Sequence, residues 1–209
     1  QYRGAAPINW AVINGETKTG VTTFFLDHDI DTGRIIMQRE FPIPDDADVE
    51  YVYDGLMELG AGICQDTVDL VISTDGNVPS QPQREDIELK AAPKIFKETC
   101  QIDWNNNAKR IYDFVRGLSP YPGTWTTLAS NSETEKTEAS VMKIFKTAKT
   151  GTSCAGVAPG TLKTESNHLM VATNDEWLDI VELQAAGKKR MAARDFLNGF
   201  KHIADMHMK

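Results

Sequence analysis

The apolar positions of this chain change period along its length, and those changes predict its elements. Pro7 to Ile13 opens on a proline suited to a first helical turn and stops short of Gly15, which predicts a short helix. Gly20–Leu26 and Arg34–Phe41 are β-branched and aromatic runs that read as two strands of a hairpin. The connection between them, Asp27 to Gly33, is rich in turn formers. From residue 49 to 73, Val52, Leu56, Leu59, Ile63, Val68 and Val71 recur at helical spacing, with Gly76 as a stop.

Periodicity then disappears. Residues 74–83 are polar and carry two prolines and a glycine, so the stretch reads as a linker or a long crossing loop. Beyond it Ala108–Leu118 places Ile111, Phe114, Val115 and Leu118 on one helical face. After the hinge Pro120-Tyr121-Pro122-Gly123 come short strands at Trp125–Leu128, Val141–Phe145, Leu169–Ala172 and Leu178–Leu183, the pattern of a small barrel. Ser130–Glu138 reads as a solvated hairpin tip, and Ala192–Phe200 as a final helix that closes the chain. Trp125 and Trp177 are assigned to the barrel core.

Charge sharpens the division. The net charge of −8 splits into −10 over residues 1–99 (8 basic, 18 acidic) and +2 over 100–209 (14 basic, 12 acidic). Lys188-Lys189-Arg190, with Arg194 and Lys201 nearby, and separately Lys143, Lys146 and Lys149, form basic strips suited to tracking phosphates. An ordinary solvated basic turn is the competing reading. Three widely spaced cysteines give neither a disulfide framework nor a zinc motif, and four histidines without HExxH spacing supply no metal ligands. The scattered cysteines make a reducing, cytoplasmic setting the expected one, and no apolar run approaches the ~20 residues a membrane helix needs.

Chemistry concentrates at Asp27-His28-Asp29-Ile30-Asp31, three carboxylates and an imidazole between two strands. Such a cluster is most often a solvated acidic turn. Carboxylates held at strand ends are also well placed to order a water or tune an imidazole for proton transfer. Spacing alone leaves both readings open.

Four short motifs bear on that choice: Arg3-Gly4-Ala5-Ala6-Pro7-Ile8, Asn14-Gly15-Glu16, Thr19-Gly20-Val21-Thr22 and Ile30-Asp31-Thr32-Gly33. In this order and at these intervals they resemble the signature of 10-formyltetrahydrofolate-dependent formyltransferases of the methionyl-tRNA type. Residues 116–125 resemble the start of that family's C-terminal domain, and 183–191 with 195–199 its end. The resemblance therefore covers essentially the whole chain.

What it implies is an α/β fold: the C-terminal portion of a Rossmann-like formyltransferase domain (residues 1–75), a linker (76–94), and a small OB-like open barrel that binds tRNA (95–209). It implies 10-formyltetrahydrofolate as co-substrate, no metal, and methionyl-initiator tRNA as formyl acceptor. Asp31 matches the family's catalytic aspartate. The loop Leu26–Asp31 would line the pterin pocket, so Leu26, Asp27 and Ile30 are cofactor-binding candidates. Thr22 sits where a water-holding hydroxyl is found in the family; a strand threonine bonded within its own sheet is the competing reading. Lys188, Lys189, Arg190 and Arg116 are the tRNA-binding candidates, with Arg116 mostly structural.

The family's catalytic Asn and His lie ahead of the Arg-Gly-Ala-Ala-Pro motif. The chain is accordingly expected to begin inside the catalytic domain, to be inactive alone, and to self-associate where the parent enzyme is monomeric. Two alternatives stand beside this reading. One is a formyltransferase acting on a small amine such as a sugar nucleotide; the other is a free-standing RNA-binding module with a remnant catalytic half. The basic C-terminal turn favours tRNA over a small acceptor.

Overall fold

The computed structural model describes residues 1–84, 88–130, 140–200 and 203–209. The expected hairpin tip from residue 131 to 138 and Lys201 lie outside the described residues. Among the described residues no helix is long and apolar enough to cross a membrane.

Helix α1 (Pro7–Ile13) carries its proline in the first turn and buries Ala11, Val12 and Ile13. Strands β2 (Lys18–Phe24) and β3 (Ile35–Pro42) pair antiparallel over their whole length, with a register shift between Thr23 and Phe24. Helix α2 (Val49–Ser73) begins where the Asp48 carboxylate accepts the Tyr51 amide at 3.0 Å. It lays Val52, Leu56 and Ile63 into the front core, while Tyr53, Met57, Val68 and Ile72 on its other side are exposed.

The expected linker is partly built into this unit. Strand β1 (Tyr2–Gly4) pairs parallel with β4 (Lys90–Ala92). Beside that pair Glu16 accepts from Tyr2 Oη at 2.8 Å and Lys90 Nζ at 2.5 Å, and the lysine holds its carboxyl below the usual range.

The back half is one antiparallel sheet. Its strands are β5 (Thr124–Ser130), β6 (Ser140–Ser153), β7 (Leu162–Glu165), β8 (His168–Ala172), β9 (Glu176–Ala185), β10 (Met191–Ala192) and β11 (Met206–Met208). They follow the order β11-β5-β6-β9-β8-β7, with β10 on β9. The sheet curls until its two ends meet, Met208 N–H donating to Gly160 O at 2.9 Å just ahead of β7. Only glycine allows that approach, since a Cβ on Gly160 would lie 2.1 Å from Met208 O. The result is a nearly closed barrel.

Helix α3 (Ala108–Gly117) and helix α4 (Ala193–Gly199) both feed the barrel core, the first through Ile111 and Val115, the second, packed against β8 and β9, through Ala193 and Phe196. The α3 N-terminus is doubly capped: Asn107 Oδ1 takes the Arg110 amide and Asp175 Oδ1 the Ala108 amide, both at 2.8 Å. Those backbone bonds hold the Asp175 carboxyl below its usual range.

Three expectations change. Strand β6 runs eight residues past Phe145, and the chain ends on β11 rather than on a helix. The core tryptophan is Trp104, 3% exposed, with its indole N–H donating to Thr126 Oγ1 at 2.9 Å. Trp125 and Trp177 are only partly buried, because both sit at strand positions that face out of the barrel.

Candidate functional site

The two halves meet along α1 and α3. Asn9 Nδ2 donates to Gly117 O at 2.9 Å, and Arg110 Nη1 reaches Ile13 O at 3.2 Å and Asn14 Oδ1 at 3.0 Å. Ile13, Cys100 and Leu118 form a small apolar cluster between them, and burial pushes the Cys100 thiol up.

Arg116 belongs to this joint. It is 7% exposed, and its Nε donates to Asp113 Oδ1 at 2.8 Å. Its Nη1 donates to Ala47 O at 2.9 Å and Pro44 O at 3.3 Å, carbonyls of the turn that leads into α2. Hydrogen bonds to charged groups are worth about twice neutral ones, and a buried guanidinium so engaged acts as a strut. Tyr112 Oη donates to Asp45 O at 2.9 Å in the same turn. Lys149 pairs with the Asp45 carboxylate, holding it below the usual range, and lies over the Tyr112 ring.

Asp31 lies elsewhere, at the tip of the β2–β3 connection, exposed and with φ of +59°. That left-handed conformation is uncommon for a residue with a Cβ and is usually held by its surroundings. The loop folds back on itself: the His28 amide donates to Asp27 Oδ1 at 2.7 Å, and Thr32 Oγ1 donates to Asp29 O at 3.0 Å. Gly33 is buried where the loop re-enters the hairpin, and a Cβ there would sit 1.5 Å from Phe25 O.

Leu26 and Ile30 flank the carboxylates at 93% and 88% exposed. Two large aliphatic side chains left open beside an acidic turn form a surface that a flat, partly apolar ring could cover. Asp27, Leu26, Ile30 and Asp31 thus share one loop. Thr22 lies further back on β2, its hydroxyl accepting from Gln38 Nε2 across the hairpin at 3.1 Å. It lines a cleft of about 340 Å³ with Pro7, Ile8, Gln38 and Arg39.

The loop is stitched to a segment that sequence reasoning read as linker. Ile35 and Gln81 exchange two backbone bonds of 2.8 and 2.9 Å. Arg34 donates to Ser80 Oγ at 3.0 Å and Ser80 O at 2.5 Å. Gln83 reaches the loop backbone itself. A polar run without periodicity gives no sequence signal for such tertiary stitching.

Lys188, Lys189 and Arg190 occupy the exposed turn between β9 and β10, far from Asp31 in the chain but on the rigid barrel. Arg190 pairs with Glu182 and stacks over the Phe145 ring, 4.5 Å from its centroid. Lys188 contributes its carbonyl to Gln184 Nε2 at 2.8 Å while its side chain stays exposed. Lys143 and Lys146 are exposed on β6.

The family models that match are the formyl transferase domain over residues 1–68 and the formyl transferase C-terminal domain over 94–201. The chain is 53% identical to the methionyl-tRNA formyltransferase of Parabacteroides distasonis over 98% of its own length and 63% of that protein's. It thus spans under two thirds of that relative. Among solved structures it resembles WlaRD, a sugar 3N-formyl transferase, with a TM-score of 0.64 at 19% identity, covering 90% of this chain and 62% of that one. HypX from Aquifex aeolicus, in complex with tetrahydrofolic acid, gives 0.60 at 19% over 94% of this chain and 33% of that one. At such identities these two structures speak for the fold.

Proposed function

Because the chain belongs to the formyl transferase family, we propose that its parent protein transfers a formyl group from 10-formyltetrahydrofolate to the amino group of methionyl-initiator tRNA. The observation that carries this reading is the 53% identity to a methionyl-tRNA formyltransferase across 98% of the chain. The sugar 3N-formyl transferase WlaRD stands much further off in sequence, at 19%. We take residues 1–75 as the C-terminal portion of a Rossmann-like catalytic domain, 76–94 as the connection, and 95–209 as an OB-like tRNA-binding domain. The setting is the bacterial cytoplasm, where initiator tRNA is formylated.

In this reading the exposed Leu26 and Ile30 pack on the pterin, with Asp27 at its edge. The bound co-substrate supplies the activated formyl carbon. Asp31 presents a solvent-facing carboxylate that holds a water or an imidazole in the state that accepts the proton shed by the attacking amine. Thr22 orders a water further along the hairpin. Lys188, Lys189 and Arg190 contact tRNA phosphates from the barrel, whose packing fixes their spacing. Arg116 serves the joint between the halves, which keeps the two sites in register.

The decisive experiment compares the full-length protein with Asp31→Asn and with Lys188→Gln/Lys189→Gln in methionyl-tRNA formylation. The expected result is a kcat that collapses for the first variant with both ligands still bound. For the second, kcat holds, tRNA KM rises, and the salt slope of tRNA binding falls by about one per lost phosphate contact. A parent protein that formylates a sugar nucleotide and not methionyl-tRNA would overturn the acceptor. One that binds RNA without any transfer would overturn the enzyme reading.

A further inference from the structure

Gln83 makes a contact pattern that its place in the chain does not suggest. Its Nε2 donates to two carbonyl oxygens, Asp31 O and Gly33 O, each at 2.8 Å. Its Oε1 accepts from Arg3 Nη2 at 3.2 Å. A primary amide has two N–H donors and one carbonyl, so both donors and the acceptor are engaged. The amide can sit only one way round, since exchanging its oxygen and nitrogen would set oxygen against two carbonyls and N–H against a guanidinium.

The two carbonyls flank Thr32. Fixing both fixes the peptide planes that follow Asp31 and Gly33, and the first of those planes sets ψ of Asp31. With φ at +59° the Asp31 backbone is in the left-handed region, which Asp adopts more readily than most residues but which a Cβ still disfavours, so contacts that fix the neighbouring peptide planes bear directly on it. Further long-range hydrogen bonds to this loop come from the same strip, through Ser80 and Gln81. Gln83 is the member of the strip that grips the residue in question.

We propose that Gln83 is a positioning residue for catalysis: its amide clamps the peptide planes after Asp31 and after Gly33 and so aims the Asp31 carboxylate. Arg3 holds the amide in register from β1. The inference rests on the reading of Asp31 as catalytic, and deepens it. A misplacement of about 1 Å at a reacting group can cost on the order of 100-fold in rate.

The test uses the full-length protein and steady-state formylation of methionyl-tRNA. Gln83→Met keeps the length of the side chain and deletes both donors. It is expected to lower kcat about 10- to 100-fold with KM for each substrate within about 3-fold of wild type. Gln83→Glu, which faces a carboxylate toward two carbonyls, is expected to lose more. Placed in the Asp31→Asn background, Gln83→Met is expected to cost nothing further in single-turnover rate, because its effect passes through the carboxylate already removed.

Wild-type kcat in Gln83→Met, an equal loss in both backgrounds, or a loss confined to tRNA KM would each overturn the proposal while leaving Asp31 in place. Should Gln83→Met fail to fold, Arg3→Met releases only the acceptor side of the amide and carries the same comparison. A kcat drop with Asp31 present and none in its absence supports the clamp, and an unchanged kcat overturns it. If instead Asp31→Asn alone keeps full activity, the catalytic reading itself falls, an outcome distinct from all the others.

Discussion

The barrel and the β2–β3 loop hold their candidate functional groups by opposite means. Lys188 to Arg190 project from a turn between strands whose inner faces join one continuous core, from Ile102 and Trp104 through Leu169, Leu178 and Leu183 to Met208. Nothing at the turn needs to be strong, because the strands beneath it are fixed by burial. Asp31 stands on a loop with no core of its own, the large apolar side chains Leu26 and Ile30 turned to solvent and the backbone pinned by a few hydrogen bonds shared with residues 80–83. Local stability is lowest where apolar contacts are few. A positively charged surface tolerates a loose side chain on a rigid base. A carboxylate proposed to handle a proton needs a fixed backbone, and polar contacts with residues 80–83 hold the one at Asp31.

Mutations that separate these two designs are ordered by size. Trp104→Ala removes the largest barrel anchor and leaves Thr126 Oγ1 without its donor, and it is expected to cost about 4 kcal/mol in chemical denaturation. The loss belongs to the barrel, so near-UV circular dichroism should report it first. Arg116→Met leaves the buried Asp113 with only Lys109, which pairs with it at 2.5 Å, as a countercharge. About 3 kcal/mol is expected, and a single unfolding transition should broaden or split as the joint between the halves weakens.

Gly33→Ala tests the loop alone. Its Cβ cannot coexist with Phe25 O, and a cost of about 2 kcal/mol is expected. Amide exchange should rise through residues 25–35 and 80–83 while barrel protection is unchanged; a uniform rise would contradict the separation drawn above.

Asp175→Asn weakens one of the two caps on α3 and is expected to cost about 1 kcal/mol near neutral pH. The folded pKa of Asp175 is lowered, so its contribution is present above the ordinary carboxylate range and is lost as pH falls through that lower value. Wild type and variant should therefore converge in acid and differ most at neutral pH. Lys188→Gln with Lys189→Gln should change stability by less than about 0.5 kcal/mol, so that any effect on tRNA binding is an effect on contact.

Much of this architecture was legible in the sequence, for reasons that the structure makes concrete. Helices α1, α2 and α3 fall within a residue of their expected bounds because apolar spacing and caps agree: Pro7, Asp48 and Asn107 each open a helix. The β2–β3 hairpin and the four main barrel strands were readable from β-branched and aromatic runs bounded by turn formers. Strand β7 was not, since Leu162-Lys163-Thr164-Glu165 buries only its leucine. Nor was the far end of β6, where Lys149 to Ser153 is polar and pairs through its backbone. Asp31 came from a motif. The strip that holds it came from tertiary contacts between residues about fifty positions apart, and a residue such as Gln83 has no local pattern to betray it.

Helix α2 carries one further consequence. Of the three cysteines, Cys100 and Cys154 are buried and Cys64 is exposed, on the side of α2 that also shows Met57, Val68 and Ile72 to solvent. The molecule therefore comes with one exposed thiol already installed among the exposed apolar side chains of α2. A maleimide fluorophore attached there becomes an optical gauge. Its reaction rate and emission colour would register whatever comes to rest on that helix, without altering the loop that bears Asp31.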